Sequence, residues 1–262
     1  MFLERSKFVK SITAVFEKIA PLSLADSSWD NVGLIYESLV EPEEPLVLMA
    51  VDVTEQVIRE AVEAKASMVL SYHPPWFRSG KQLNMGTLPV ITMAASNGIS
   101  LYSMHSALDA MPGGVNDWML REMFGVADPQ QLSETQTMGR RTTLARGCTL
   151  EEAVQAAKKA FKREFIRVAA SPKGAQLIRT VAVCAGSGAS VLRDVEADLY
   201  VCGEMSHHDI LHATSRGVHV ILAEHTNTER GYLGVLKKNL EQAAAPVKFI
   251  LSQVDEDPIK IW

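Results

Sequence analysis

The sequence predicts an α/β protein: two structurally similar, interlinked α/β domains, with helices packed on mostly parallel sheets. Two observations predict it. Short apolar runs alternate with amphipathic stretches along most of the chain, the rhythm of βαβ units. The second half then answers the first, "VLMAVDVT" with "RTVAVCAG" and "NGISLYSMHSALD" with "RGVHVILAEHTNTE". In the latter pair a helix-ending glycine precedes a strand that closes on a histidine, with a carboxylate four positions later. Equivalent strand ends are therefore expected to face one site. At 262 residues the chain is long enough to give both halves a core.

Taken in order, Phe8, Ile12, Val15, Phe16 and Ile19 set a helical period that Pro21 closes. "LADSSWDNVGLIYES" is rich in turn formers, with Gly33 expected at a tight bend. "PLVLMAVDV" is a strand, and Thr54 caps a helix running to about Lys65. "SMVLSYH" and "ISLYSMH" are strands flanking the helix "TLPVITMAASNG", and "GVNDWMLREMFG" is a further helix. Residues 1–126 form the expected first half, and the polar stretch 127–148 the connection. Residues 149–262 repeat the alternation. "TLEEAVQAAKKAF" opens on a capping box from Thr149 to Glu152. Strands "IRTVAVCAG", "ADLYVCGE", "VHVILAEH" and "VKFILS" then alternate with helices "ASVLRDVE", "HDILHATSRG" and "ERGYLGVLKKNLEQAAA".

Composition excludes several classes. No apolar run reaches the roughly 18 residues of a membrane span. The N-terminus carries charge at residues 4, 5 and 7 and no continuous apolar core, so it reads as mature structure. A net charge of −5 without a basic run argues against direct nucleic-acid binding. Cys148, Cys184 and Cys202 are scattered, which points to a reducing compartment and away from a disulfide framework or a thiolate metal site. The expected location is the cytoplasm, or the mitochondrion or nucleus for a eukaryotic chain.

The chemistry gathers at strand ends, where open α/β sheets place their ligand crevice. His73, His105 and His225 each end a strand, and Asp109 and Glu229 follow the last two at four positions. Imidazoles with carboxylates and no thiolate suit a divalent transition metal, one or two ions of Zn, Mn or Fe, in the cleft between the halves. Glu229 has a plainer reading as the third member of a capping box "TNTE" on Thr226, and Asp109 as a cap or turn residue. "CGEMSHHDILH" gathers Glu204, His207, His208 and His212. Glu204, His207 and His208 are the candidates for proton transfer; solvated helix-start histidines are the plainer reading of the pair. "CAGSGAS" is a tight turn or an anion cradle. "WDNVGL" suggests no chemistry of its own, and Tyr72 either faces the crevice or covers the core.

With these residues assembled, the chain resembles the Ngg-interacting-factor-three family of dinuclear-metal proteins, whose bacterial members are often labelled type-two homologues of GTP cyclohydrolase one. "WDNVGL", "DVT", "SYHPP", "HSALD", "GGVND", "CGEMSHH", "EHTNTERG" and "DEDPI" fit in order and cover nearly the whole chain. The resemblance implies metal ligands at His73, Asp109, His225 and Glu229, with His105 as ligand or support. It implies a ring-shaped homohexamer. The histidine–carboxylate constellation with Glu204, His207 and His208 points to a metal-dependent hydrolase acting on a small nucleotide-like or phosphorylated substrate, GTP cyclohydrolase-like by resemblance alone. A non-enzymatic scaffold or regulatory adaptor for a protein partner is the competing expectation. Tyr72 departs from the two-histidine "SHHP" of many bacterial members and leaves one metal position short of an imidazole.

Overall fold

The computed structural model describes residues 6–77 and 82–260; the charges read at residues 4 and 5 lie outside them. Helix α1 (Lys7–Ile19) starts on Ser6, whose hydroxyl accepts from the Val9 amide, and ends before Pro21. The turn-rich stretch holds a strand that periodicity did not suggest, β1 (Gly33–Tyr36), entered through Gly33 at φ +96°. β2 (Leu46–Ala50) leads through the Thr54 cap into α2 (Glu55–Glu63), then β3 (Met68–Ser71) and α3 (Pro89–Ser96). β4 (Ser100–Ser103) runs into a short helix, α4 (His105–Ala110), and α5 (Val115–Phe124) stops at left-handed Gly125.

The expected connection contains a nine-residue strand, β5 (Arg140–Cys148). α6 (Leu150–Phe161) has the capping box read from Thr149 and Glu152. β6 (Arg167–Ala169), β7 (Ile178–Ser187), α7 (Ala189–Leu192), β8 (Leu199–Glu204), α8 (His207–Ser215) and β9 (His219–Leu222) follow. The helix expected after β9 is two, α9 (Asn227–Arg230) and α10 (Leu233–Ala243), before β10 (Lys248–Leu251). The break falls at Gly231, where an added Cβ would meet the Trp118 ring at 2.4 Å. A side chain there cannot coexist with that indole.

Two compact units result, each made of two chain segments: Met1–Leu108 with Tyr232–Glu256, and Asp109–Gly231 with Asp257–Trp262. They divide the chain elsewhere than the expected halves. Helix α5 joins the second unit, and α10 with β10 returns to the first.

Each unit has a five-stranded sheet, ordered β1-β4-β3-β2-β10 and β5-β7-β8-β9-β6. Their centres are parallel, β10-β2-β3-β4 and β7-β8-β9, with antiparallel strands only at edges: β1, β5 and β6. In the first unit Leu48, Ala50, Val69 and Leu101 pack on Val57, Ile58 and Ala61 of α2 and Ile91 and Ala94 of α3. In the second, Ala182, Cys184, Tyr200, Cys202 and Val220 pack with Leu192 of α7 and Ala213 of α8. Each fully buried Val, Leu or Ile stabilises by about 1.5–3 kcal/mol. Of the parallel strands, β10 closes one edge of the first sheet and is only partly buried. The others are largely buried on both faces, which is why they read as continuous apolar runs. Parallel order brings the carboxyl ends of neighbouring strands to one edge of each sheet.

Candidate metal centre

In the first unit that edge carries Asp52 after β2, His73 after β3 and His105 after β4. The backbone ladder continues past the strands: the His73 amide donates to Val51 O (3.0 Å) and the His105 amide to Tyr72 O (3.0 Å). Each imidazole then meets a carboxylate through Nδ1, His73 with Asp52 Oδ1 at 2.9 Å and His105 with Asp30 Oδ1 at 2.8 Å. Asp30 is fully buried and also accepts from the Ser106 amide (3.1 Å) and the Ser106 hydroxyl. Burial alone would push its pKa up. The hydrogen bond and charge of His105, with the two donors of Ser106, outweigh that and hold it below the ordinary carboxylate range. The ionised acceptor fixes the Nδ1–H tautomer and leaves Nε2 of such a ring as the lone-pair donor. His105 sits at φ +22°, outside the comfortable range of a non-glycine residue, in the turn that aims its ring. Tyr72 is buried at 1% exposure, with its ring edge-on to His73 (5.3 Å) and His105 (5.8 Å). It covers the core beneath both histidines.

The second unit repeats the device at β8 and β9. His225 Nδ1 meets Glu204 Oε1 at 2.9 Å, and its Nε2 stands 3.4 Å from Glu229 Oε1. Glu224, just before, is left-handed at φ +67° and held by Arg167 Nε at 2.7 Å. Glu229 is 3% exposed, and "TNTE" is no capping box: the Thr226 hydroxyl donates to Asp257 (2.9 Å) instead of capping α9. The Thr228 hydroxyl accepts from the Gly186 amide (2.8 Å) and donates to His225 O (2.7 Å). "CAGSGAS" is thus not a free turn but the irregular end of β7, where its register with β8 shifts between Cys184 and Ser187, running through Gly188 into α7. Gly186 lies at φ +61°, and a Cβ there would fall 2.6 Å from Glu229 Oε1 and 2.8 Å from His225 Nε2. Only glycine leaves that space open.

Asp109 is half-buried on α4. Burial pushes the Cys184 thiol well above its ordinary pKa, and the carboxylates of Asp109 and Glu229, with Cys202, add to it. Burial likewise lifts Cys202 to about 12. Both are inert thiols. His207 and His208 are exposed on the first turn of α8, rings 5.4 Å apart. His212 Nε2 is taken by Asp194 at 2.9 Å, so it is engaged away from the two.

Within the second unit His225 Nε2 and Glu229 Oε1 stand close enough to share one ion; within the first, His73 and His105 each keep one ring nitrogen on a carboxylate. Sequence reasoning picked out Glu204, as a group for proton transfer and not as the partner of His225, and missed the carboxylates behind His73 and His105. Asp52 was within reach, since it ends an apolar strand as the histidines do. Asp30 stands in "WDNVGL", which fits the family pattern but suggests no chemistry, because its partner lies 75 positions away.

The sequence model of the family described as Duf34/NIF3 (NGG1p interacting factor 3) matches residues 8–258. The chain belongs to that family. The Schizosaccharomyces pombe protein NIF3 homolog is 36% identical over 98% of this chain and 99% of its own. NGG1-interacting factor 3 of Saccharomyces cerevisiae is 37% identical over 97% and 96%. Among solved structures, the Bacillus cereus protein related to NIF3 matches at TM-score 0.81 with 18% identity, covering 100% of both chains. Reduced HcgD from Methanocaldococcus jannaschii matches at 0.81 with 26% identity, covering 94% and 97%. This NIF3-family chain thus has the fold class read from its sequence. No helix among its described residues is long and apolar enough to cross a membrane.

Proposed function

We propose that this NIF3-family protein binds a divalent transition-metal ion (Zn, Mn or Fe) through His73, His225 and Glu229 and uses it to hydrolyse a small nucleotide-like or phosphorylated substrate. The observation that carries the reading is the carboxylate behind each ligand histidine: Asp52 on His73 and Glu204 on His225. Metal-binding imidazoles are held this way, with the other ring nitrogen on a carboxylate that sets tautomer and raises basicity. Two imidazoles, a carboxylate and no thiolate are a mixed nitrogen–oxygen set that all three metals accept. The room that Gly186 leaves over Glu229 and His225 supports it too.

When bound, such an ion supplies Lewis acidity and brings the pKa of a coordinated water toward ~7. This chain's own groups do the rest of the work. Asp52 and Glu204 keep their imidazoles aimed, while His207 and His208 are the accessible groups for carrying protons to and from bulk water. His105 and Asp109 are proposed to support a second ion, with buried Tyr72 in place of an imidazole making that position the weaker one. A GTP cyclohydrolase-like substrate and a closed hexamer belong to the same proposal.

The test is to purify the chain with metal, screen GTP and phosphoesters, and repeat with Glu229→Ala. Turnover and bound metal that vanish together support the enzyme; elemental analysis showing no metal after reconstitution ends it. The name of the Saccharomyces cerevisiae relative, NGG1-interacting factor 3, favours a second reading. In it the chain is a regulatory adaptor or ring-shaped scaffold, and uniform inactivity of a metal-loaded protein would favour that role.

A further inference from the structure

Two large aromatic rings of the first unit stand open to solvent beside its histidines. Trp29 is 48% exposed and Phe77 47%. Single exposed apolar residues need no explanation, but these two stack on each other, centroids 6.1 Å apart and planes 14° from parallel. Both also meet the His105 ring edge-on, at 5.6 and 5.5 Å.

The loop that presents Trp29 is pinned on both sides. Before it, the Asp26 amide donates to the Ser106 hydroxyl (3.2 Å), and the Asp26 carboxylate accepts from the Ser28 amide (3.0 Å). After it, buried Asp30 is fastened to His105 and Ser106, and the Asn31 amide group donates to Trp76 O, tying the loop to the segment that carries Phe77. Chain entropy has therefore been spent to hold an indole half out of the protein, where it gains only half of its burial energy. A rigid, half-open aromatic pair is the arrangement that stacks a planar ring at low ordering cost. Two half-exposed side chains are far short of the roughly 800 Å² per partner of a stable protein interface, so a small ligand fits better than a protein.

We propose that Trp29 and Phe77 form a stacking platform for a planar heteroaromatic ring, the ring of the substrate or ligand that this protein takes. The proposal rests on the proposed function only in assigning that ring to the substrate; the platform itself needs no metal.

The experiment uses the full chain, loaded with zinc and separately stripped by chelator. Saturation-transfer NMR is run with adenosine, uridine and nicotinamide as planar probes and ribose as the control without an aromatic ring. Ring protons of at least one planar probe should receive transfer in both forms of the protein, and ribose should not. Trp29→Leu should weaken that probe's Kd about tenfold or more, the scale of losing one ring–aromatic stack, whereas Trp29→Tyr should stay within about threefold. Phe77→Leu, with an unchanged melting temperature, should weaken it about fivefold.

Transfer to none of the three planar probes, or equal affinity in Trp29→Leu, overturns the platform. So does a change of mass by light scattering in Trp29→Leu, which would show that the rings cover a second copy of the chain. Ring binding that persists while elemental analysis finds no metal would sink the hydrolase and leave the platform standing.

Discussion

Both units build the same couple, a strand-end imidazole whose Nδ1 meets a carboxylate, but the couples lie at different depths, and the first unit holds a shallow one too, Asp52 behind His73 at 38% exposure. In the first, Asp30 is wholly enclosed behind His105. In the second, Glu204 behind His225 is 45% exposed. A carboxylate without water must have every lone pair satisfied by protein, so Asp30 is locked by three donors and locks a loop in return. A half-exposed one is screened and exchanges partners with water at little cost. Burial therefore separates a couple that holds the fold from one that tunes a ligand.

The largest expected effect tests that split directly. Asp30→Ala strips a buried acceptor from His105 and both Ser106 donors and should cost about 3–5 kcal/mol by denaturant unfolding. Glu204→Ala should cost under about 1 kcal/mol. Equal losses would show that burial does not divide the couples.

A second contrast concerns backbone. Gly186→Ala adds the strain of φ +61° to a Cβ only 2.6 Å from Glu229 Oε1, whereas Gly113→Ala, at φ +73°, meets nothing within 4 Å. The left-handed conformation alone should cost about 1–2 kcal/mol at Gly113. Gly186→Ala should cost at least ~1 kcal/mol more, because its neighbours must shift as well, and it should also lose metal on elemental analysis. A Gly186 variant as mild as Gly113→Ala would mean that the end of β7 does not press on the pair.

A third prediction compares the exposed couples. Asp52→Asn and Glu204→Gln keep shape but lose the charge behind His73 and His225. Each should weaken metal affinity by about 10–100-fold, with little change in melting temperature of the metal-free chain. Calorimetric titration measures it. If only one of them weakens binding, the two histidines are not equivalent ligands.

How much of this was legible follows from the same physics. Apart from β10, the parallel strands are largely buried on both faces, so β2, β3, β4, β7, β8 and β9 announce themselves as apolar runs, and the histidines at their ends were readable with them. The antiparallel edge strands β1, β5 and β6 did not. β5, "RRTTLARGC", keeps only Arg140, Leu144 and Gly147 buried, and its first residue is a buried Arg140 paired with Asp117 at 2.5 Å. An edge strand with one wet face and a buried ion pair looks like a polar linker. The unit boundaries hid for another reason: α10 and β10 return to the first unit from the far end of the chain, and local pattern carries no trace of such a return. Glu229 was found by spacing, yet the capping reading that rivalled it could be dismissed only by seeing Thr226 bonded to Asp257.

The smallest effect uses the other end of β8. Asp198 precedes that strand and accepts from the Arg179 and Thr180 amides, both at 2.8 Å, at the start of β7. Burial pushes its pKa up, but these amides and the Thr180 hydroxyl outweigh it, and the net shift is downward. A carboxyl depressed in the folded state contributes stability that is complete above its unfolded value near ~3.9 and is lost as pH falls through the folded one. The gap between the natural chain and Asp198→Asn should thus be constant from neutral pH down to about 4, on the order of 1 kcal/mol, and then close on further acidification. It should be the same with and without metal, because Asp198 lies at the amino end of β8 and Glu204 at the carboxyl end. Unfolding curves of both proteins between neutral and acid pH decide it. A gap that widens toward acid would reverse the sign argued here. A gap that depends on metal would show the two ends of β8 to be coupled.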